Sequence, residues 1–118
     1  MNQFEVIFYE KENGESPLYD FIEELSPKMK AKIIGMLEIL EERGNLLREP
    51  YSKHLDDGIF ELRCQVGTDI TRVLYFFFYQ RKIILTNGFV KKTQKTPREQ
   101  ILLAKRYRND FLERMDAS

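Results

Sequence analysis

One short stretch of this 118-residue chain concentrates positive charge. Residues 87–100 read NGFVKKTQKTPREQ, and the first acidic side chain among them is Glu99. Like charges repel, so they are placed together where they are hydrated, paired with carboxylates or bound to an anion. A cluster of cations without acidic neighbours favours a phosphate ligand. The basic residues of the stretch are Lys91, Lys92, Lys95 and Arg98.

The formal net charge of the chain is zero, but the charge is unevenly distributed. Residues 1–50 hold 11 acidic and 6 basic side chains, whereas residues 51–118 hold 8 acidic and 13 basic ones, so the two parts carry −5 and +5. This asymmetry indicates an anionic partner for the basic part.

The segments before the basic stretch predict strands. Residues 59–65, IFELRCQ, alternate between apolar and polar types, and turns separate them from residues 70–79 and 82–89. This pattern is typical of a three-stranded antiparallel meander. The middle strand is apolar on both faces, so both faces must be covered. A further strand is predicted at residues 3–9, and residues 45–58 are predicted to form a loop.

Helices are predicted on either side of the meander. Ser-Pro pairs at residues 16–17 and 26–27 each predict a helix start, and the second helix should end near Gly44. Residues 96–99, TPRE, form a capping box for a third helix that ends near residue 115. The order β-α-α-β-β-β-α predicts an α+β fold, with an antiparallel sheet packed by a helical hairpin and by a C-terminal helix.

Composition restricts the remaining possibilities. The chain has room for a single domain, residues 1–118, and its 42% apolar content is typical of a folded protein. No membrane-spanning run or secretory signal is visible, which favours the cytoplasm. One cysteine and one histidine predict no metal site, and no cofactor motif is present. Cys64 is expected to be a buried thiol, and His54 a surface residue.

The meander should bring cations from different strands together. Because the start of the middle strand lies beside the ends of its two neighbours, Arg63, Arg72 and the lysines after Phe89 should gather at one end of the sheet. RNA fits such a site, since cations bind phosphates and stabilise a phosphate attacked by its own 2′-hydroxyl. Two alternatives stay open. Arg63 can pair with Glu61 or Asp69, and Arg72 with Asp69 or a helix carboxylate. Aromatic residues such as Phe89 can stack on a base or belong to the core.

Four motifs resemble the RelE/HigB-like type II toxins, in their phage-derived branch. They are Lys-x-Leu at residues 53–55, ELR at 61–63, RVLYFF at 72–77 and GFVKKTQKTP at 88–97. The resemblance extends over residues 50–110. It implies a metal-independent, ribosome-dependent endoribonuclease that cleaves mRNA and inhibits translation. It also implies a cognate antitoxin, often of the helix-turn-helix type.

Carried onto this sequence, the resemblance implies roles for the basic residues. Arg72 would stabilise transition-state charge. One of Lys91, Lys92 and Lys95 would transfer a proton, its pKa lowered by cationic neighbours. The implied catalytic residues are Arg72, Lys92 and Lys95. The resemblance also implies that Lys53, Arg63, Arg72, Lys92 and Lys95 hold phosphates and ribosomal RNA. The basic stretch and the sheet edge themselves add Lys91, Arg98 and Phe89 as RNA-binding residues.

One departure from the family pattern motivates an alternative function. Relatives often have histidine immediately before the Gly-Phe of the last strand, where this chain has Asn87, which cannot exchange a proton near neutral pH. The alternative is a binding module on the same fold without nuclease activity, such as a phage accessory protein or a gyrase inhibitor like the ParE group. A DNA-binding regulator is not favoured, because no helix has the turn and spacing of a recognition helix.

Overall fold

A five-stranded sheet lies between two helical layers in the computed structural model, which describes residues 3–117, the last of them without its side chain. The α+β prediction is confirmed. The elements are β1 (Glu5–Phe8), α1 (Pro17–Glu23), α2 (Pro27–Arg43), β2 (Ser52–Asp56), β3 (Ile59–Val66), β4 (Asp69–Phe78), β5 (Lys82–Val90) and α3 (Arg98–Ala117).

The strand order across the sheet is β1-β5-β4-β3-β2. Strands β3, β4 and β5 form the predicted antiparallel meander. Two features of the sheet were not predicted. Strand β2 lies within the predicted loop and pairs antiparallel with β3, with Ser52 opposite Leu62. Strand β1 pairs parallel with β5, so the sheet is mixed.

The two Ser-Pro pairs start helices as predicted. The Ser16 hydroxyl accepts a hydrogen bond from the Tyr19 N–H at 3.4 Å, and the Ser26 hydroxyl accepts one from the Met29 N–H at 3.2 Å. Each bond satisfies a backbone donor that the first turn of a helix leaves free. Helix α2 ends at Gly44, whose φ of 51° lies in the region that favours glycine.

Strand β4 separates two hydrophobic cores. Val73 and Tyr75 pack against α1 and α2 in the first core, whereas Leu74 and Phe76 pack against α3 in the second. All four side chains are at most 3% exposed. The prediction that both faces of the middle strand are covered is therefore confirmed.

Strand β5 contains a β-bulge. Val73 is opposite Gly88 and Tyr75 is opposite Leu85, so β5 has one more residue than β4 between these pairs. Before the bulge Leu85 faces the first core, but after it the even-numbered Gly88 faces that side, where an added Cβ would lie 2.9 Å from α1 side-chain atoms. Odd-numbered side chains of β5 therefore face the first core before the bulge, and even-numbered positions face it after the bulge.

Ionic contacts fix α3 to the sheet. Lys105 contacts Asp56 at 2.6 Å and Arg108 contacts Asp57 at 2.9 Å, both at the β2–β3 turn. Near the other end of α3, Asp110 accepts a hydrogen bond from the Tyr9 hydroxyl at 2.7 Å. None of the helices within the described residues combines the length and hydrophobicity of a bilayer-spanning segment.

Candidate nucleic-acid interface

The strand register brings the basic residues of the meander to one end of the sheet. Arg63 of β3 is opposite Arg72 of β4, and Arg72 is opposite Phe89 of β5. The Lys91 N–H donates to the Ile70 carbonyl at 2.9 Å, so the basic stretch leaves the sheet beside the start of β4. This row lies on the α3 side of the sheet, because Phe89 belongs to the second core.

A buried carboxylate lies among these cations. The Glu61 side chain is 2% exposed, and its Oε2 atom is 3.0 Å from Arg63 Nε and 3.5 Å from Arg72 Nε. Its other oxygen accepts a hydrogen bond from the Thr96 hydroxyl. Glu61 therefore partly neutralises both arginines and also anchors the later part of the basic stretch through Thr96. Neither arginine pairs with Asp69 among the salt bridges of the described residues.

A cleft of about 240 Å³ opens beside Glu61, and we call it the basic cleft. Glu61 is the one carboxylate among its lining residues within the described part of the chain. The lysines of the basic cleft form no salt bridge with any residue from 3 to 116. Its charged lining residues are Lys53, Glu61, Arg63, Lys91 and Lys95.

The environment of Lys91 makes its neutral form easier to reach than that of an ordinary lysine. Burial lowers the pKa of Lys91, and the charges of Arg72, Arg63 and Lys53 lower it further, whereas Glu61 opposes the change. A lysine with a lowered pKa can accept a proton nearer neutral pH than an ordinary lysine. Its position in the basic cleft and its lowered pKa make Lys91 a candidate for proton transfer.

A family comparison covers this entire region. The model of the family described as "Phage derived protein Gp49-like (DUF891)" matches residues 20–109, which include the second half of α1, all of α2, the strands from β2 to β5 and the basic cleft. The chain belongs to the Gp49-like family. This family is part of the RelE/toxin-like, phage-derived group. No curated protein matches the chain.

Arg72 occupies a different place in the Gp49-like protein from the one its predicted role requires. It does not line the basic cleft, and its side chain is 8% exposed behind Glu61. Burial lowers the pKa of Arg72, while the charge of Glu61 raises it. The Arg72 Nε atom has no hydrogen-bond partner within the described residues. Arg72 is placed to position Glu61 and to act electrostatically on Lys91, not to contact a phosphate in the basic cleft.

Three other predicted site residues lie outside the basic cleft. Lys92 lines a separate depression with Ile70 and Thr93, and Lys91 and Gln94 border both this depression and the basic cleft. Arg98 is 3.4 Å from Asp56 and is thereby directed toward the β2–β3 turn. Phe89 is 8% exposed in the second core, so it offers no free ring face to a base. Their predicted roles in this site are not supported by these positions.

Other residues acquire roles that sequence reasoning missed. Thr96 is predicted to cap α3, but its hydroxyl donates to Glu61, and the helix begins at Arg98. His54 lines the edge of the basic cleft, and its Nε2 atom accepts a hydrogen bond from the Gly58 N–H at 3.0 Å. Both residues lie within predicted motifs, His54 in residues 53–55 and Thr96 in residues 88–97, and membership in those motifs was the available signal.

Asn87 lies next to the basic cleft but is directed toward α3. Its Nδ2 atom donates to the side-chain oxygen of Gln100 at 3.0 Å, and the residue is 3% exposed. The bulge in β5 directs Asn87 to the α3 side. The amide therefore holds the start of α3 against the sheet. Among residues 3–117, no group of three or more His, Cys, Asp or Glu side chains is arranged to hold a metal ion.

Proposed function

We propose that this Gp49-like protein is the toxin of a type II toxin–antitoxin system, similar to RelE and HigB, and that it cleaves mRNA on the ribosome. The observation that carries the proposal is the basic cleft, in which four cations surround one carboxylate that is already shared by two arginines. Such a cleft attracts the phosphates of an RNA strand. Membership in a toxin-like family supports the same conclusion. The protein would act in the cytoplasm, where it meets ribosomes.

The proposed reaction uses side chains alone, without a metal ion. The neutral amine of Lys91 accepts the proton of a 2′-hydroxyl, whose oxygen then attacks the adjacent phosphorus atom. Arg63 and Lys53 bind the non-bridging oxygens and stabilise the charge that develops on them. The bond from phosphorus to the 5′-oxygen breaks, and Lys95 donates a proton to that oxygen. The products are a 2′,3′-cyclic phosphate and a 5′-hydroxyl.

The proposed partners are the ribosome, mRNA and a cognate antitoxin, which we expect to be a helix-turn-helix protein. The acidic part of the chain, residues 1–50, contributes no residue to the basic cleft. An acidic segment of the antitoxin would therefore be attracted to the cleft and would cover it directly. Co-expression with the product of an adjacent gene should then abolish toxicity.

Expression in bacteria with a cleft-directed variant tests the proposal. The Lys91→Gln, Lys95→Gln double variant should arrest growth less than the wild type, and primer extension should show cleavage within codons at least about 10²-fold slower. The matched control is Lys11→Gln, Lys82→Gln, which makes the same change in charge outside the basic cleft. Equal cleavage by the wild type and the Lys91, Lys95 variant would contradict the proposed site.

One observation favours a second function. Asn87 carries no titratable group, and Glu61 already pairs with Arg63 and Arg72. These features suit a binding module without nuclease activity, either a phage accessory protein or a gyrase inhibitor like the ParE group. Growth arrest without cleaved messages, accompanied by inhibition of DNA supercoiling, would support the gyrase inhibitor.

A further inference from the structure

A second cleft of about 320 Å³ adjoins the basic cleft. Arg63 lines both of them, so the two clefts are continuous across one side chain. The polar residues that line the second cleft are Lys32, Tyr51, Arg63, Gln65 and Arg72. Lys32 and Tyr51 have no part in the reaction described above.

The second cleft exists because β2 is shorter than β3. The last bond between these strands is donated by the Arg63 N–H to the Tyr51 carbonyl at 2.8 Å. Among the described residues, no strand pairs with the outer edge of residues 64–66. Helix α2 borders this gap through Lys32 and Met36. An open strand edge beside a helix leaves room for a flat ligand.

The second cleft is positively charged. No carboxylate lines it within the described part of the chain, whereas Lys32, Arg63 and Arg72 do. Lys32 forms no salt bridge with any residue from 3 to 116. Burial raises the pKa of the Cys64 thiol to about 12, and the charges of Arg72 and Lys32 oppose that rise, which places Lys32 beside β3.

An exposed aromatic ring completes the second cleft. Tyr51 is 53% exposed, although most large apolar side chains of the described residues are buried or half-buried. An exposed ring beside cations is the arrangement by which proteins bind single-stranded nucleic acid, because bases stack on the ring while cations hold the phosphates.

We propose that the second cleft binds the nucleotide adjacent to the one in the basic cleft, with its base stacked on Tyr51 and its phosphate held by Lys32 and Arg63. The inference rests on the proposed function in taking RNA as the ligand. It adds a subsite on α2 and on the segment before β2, and it gives the strand a path across Arg63. The RNA would thus contact the protein over at least two consecutive nucleotides.

Binding of a non-cleavable RNA tests the subsite. The probe is a fluorescein-labelled hexanucleotide with 2′-O-methyl groups, which lacks the attacking hydroxyl, and binding to the full chain is followed by fluorescence anisotropy. Tyr51→Ser should weaken binding about 5- to 100-fold, the range expected for loss of one stacked base. Lys32→Gln should reduce the slope of log K against log salt by about 0.7, the value for one phosphate contact on a single strand.

Three control variants show whether these effects belong to the second cleft. Tyr79→Ser removes a tyrosine that is 80% exposed at the opposite end of the sheet, and it should leave binding unchanged. Lys30→Gln removes a charge on the same helix, about 200° around its axis from Lys32, and it should leave the salt slope unchanged. Tyr51→Phe keeps the ring and should keep the affinity.

The outcomes separate this inference from the proposed function. Equal affinities for Tyr51→Ser and Tyr79→Ser would contradict the second cleft, as would the absence of binding by the wild type at millimolar RNA. If Tyr51→Ser weakens binding but primer extension shows no cleavage in cells, the subsite is supported and the nuclease function is contradicted. If messages are cleaved but Tyr51→Ser binds the hexanucleotide normally, only the subsite fails.

Discussion

Glu61 determines how much positive charge the basic cleft presents. Its carboxylate is shared between Arg63 and Arg72, so one negative charge only partly neutralises two positive charges. The lysines of the cleft are left without an acidic partner among the described residues. Arg72 is buried, and a buried charge is tolerated only when it is paired. Glu61 therefore serves the stability of the fold and the electrostatics of the site together.

Substitution of Glu61 should reveal the stabilising part of this role. Glu61→Gln leaves Arg72 buried without a counter-charge, so we expect the free energy of unfolding to fall by about 3 kcal/mol or more. Urea denaturation of both proteins measures the difference. Glu23→Gln, at an exposed position of α1, should have little effect. A loss below about 1 kcal/mol for Glu61→Gln would show that water solvates Arg72 in place of the missing carboxylate.

The pKa of Lys91 predicts the pH dependence of cleavage. Because burial and neighbouring cations lower the pKa of Lys91, the amine becomes neutral at a lower pH than an ordinary lysine. If the neutral amine is the general base, the cleavage rate of the wild type rises with pH until the amine is deprotonated. Lys91→Arg keeps the charge but stays protonated, so cleavage should be slow at every pH. Single-turnover rates on programmed ribosomes, measured between pH 6 and pH 9, provide the test.

Phosphate binding alone would give a different result for the same variant. If Lys91 contributes only its positive charge, Lys91→Arg should cleave nearly as fast as the wild type, and Lys91→Ala should be the slow variant. Comparison of the arginine and alanine variants therefore distinguishes a base from a binding residue.

Sequence reasoning identified part of the candidate site for a clear physical reason. Strand order alone brings Arg63 and the lysines after β5 to the same end of a meander. It cannot show which lysines point into a cleft, since that depends on the path of the chain after the strand. For this reason Lys92 was assigned to the site, and Lys91 could be singled out among the candidates for proton transfer only from its burial and its charged neighbours.

At the scale of elements, the positions of helices and strands could be predicted wherever short-range features of the sequence define them. Ser16 and Ser26 cap the helices, and alternating residues mark β3. Strand β2 was missed because its sequence, SKHLD, has little apolar alternation. Its extended form depends on pairing with β3, which is a tertiary interaction. The parallel pairing of β1 with β5 is likewise invisible to a local pattern.

Two glycines, one inside α2 and one directly after it, predict opposite effects of the same substitution. An added Cβ at Gly35 meets nothing within 4 Å, so Gly35→Ala should stabilise the protein by up to about 1 kcal/mol through helix propensity. An added Cβ at Gly44 would overlap the Phe4 ring at a positive φ, so Gly44→Ala should destabilise the protein by at least about 1 kcal/mol. Thermal unfolding of the two variants measures both effects. A stabilising Gly44→Ala would contradict this account of the helix end.

At the scale of the whole molecule, two cores share one sheet. The first core lies under the helical hairpin and the second under α3, and adjacent residues of β4 belong to different cores. Side chains on both faces are fixed by the same backbone hydrogen bonds. The two cores should therefore unfold together rather than one after the other.

Matched substitutions in the two cores test this cooperativity. Leu62→Ala, in the first core, and Leu74→Ala, in the second, each truncate a side chain that is 0% exposed, and each should cost about 2–5 kcal/mol. Both variants should still show one transition, with the same midpoint by circular dichroism and by tyrosine fluorescence. Separate transitions in either variant would show that α3 and the hairpin are independently stable.

The bulge in β5 has a consequence for how this family can diverge. Residues 88–90 keep regular pairing with β4 only because the bulge accommodates the additional residue between Leu85 and Gly88. Substitutions in residues 91–95 change the chemistry of the side chains but not the positions of the residues. Removal of one residue at the bulge would give an uninterrupted antiparallel ladder in which Gly88 and Phe89 keep their present sides, whereas loss of a residue elsewhere in β5 would exchange the sides of its neighbours. Natural variants should therefore lack the additional residue more readily than they lose a residue elsewhere in β5.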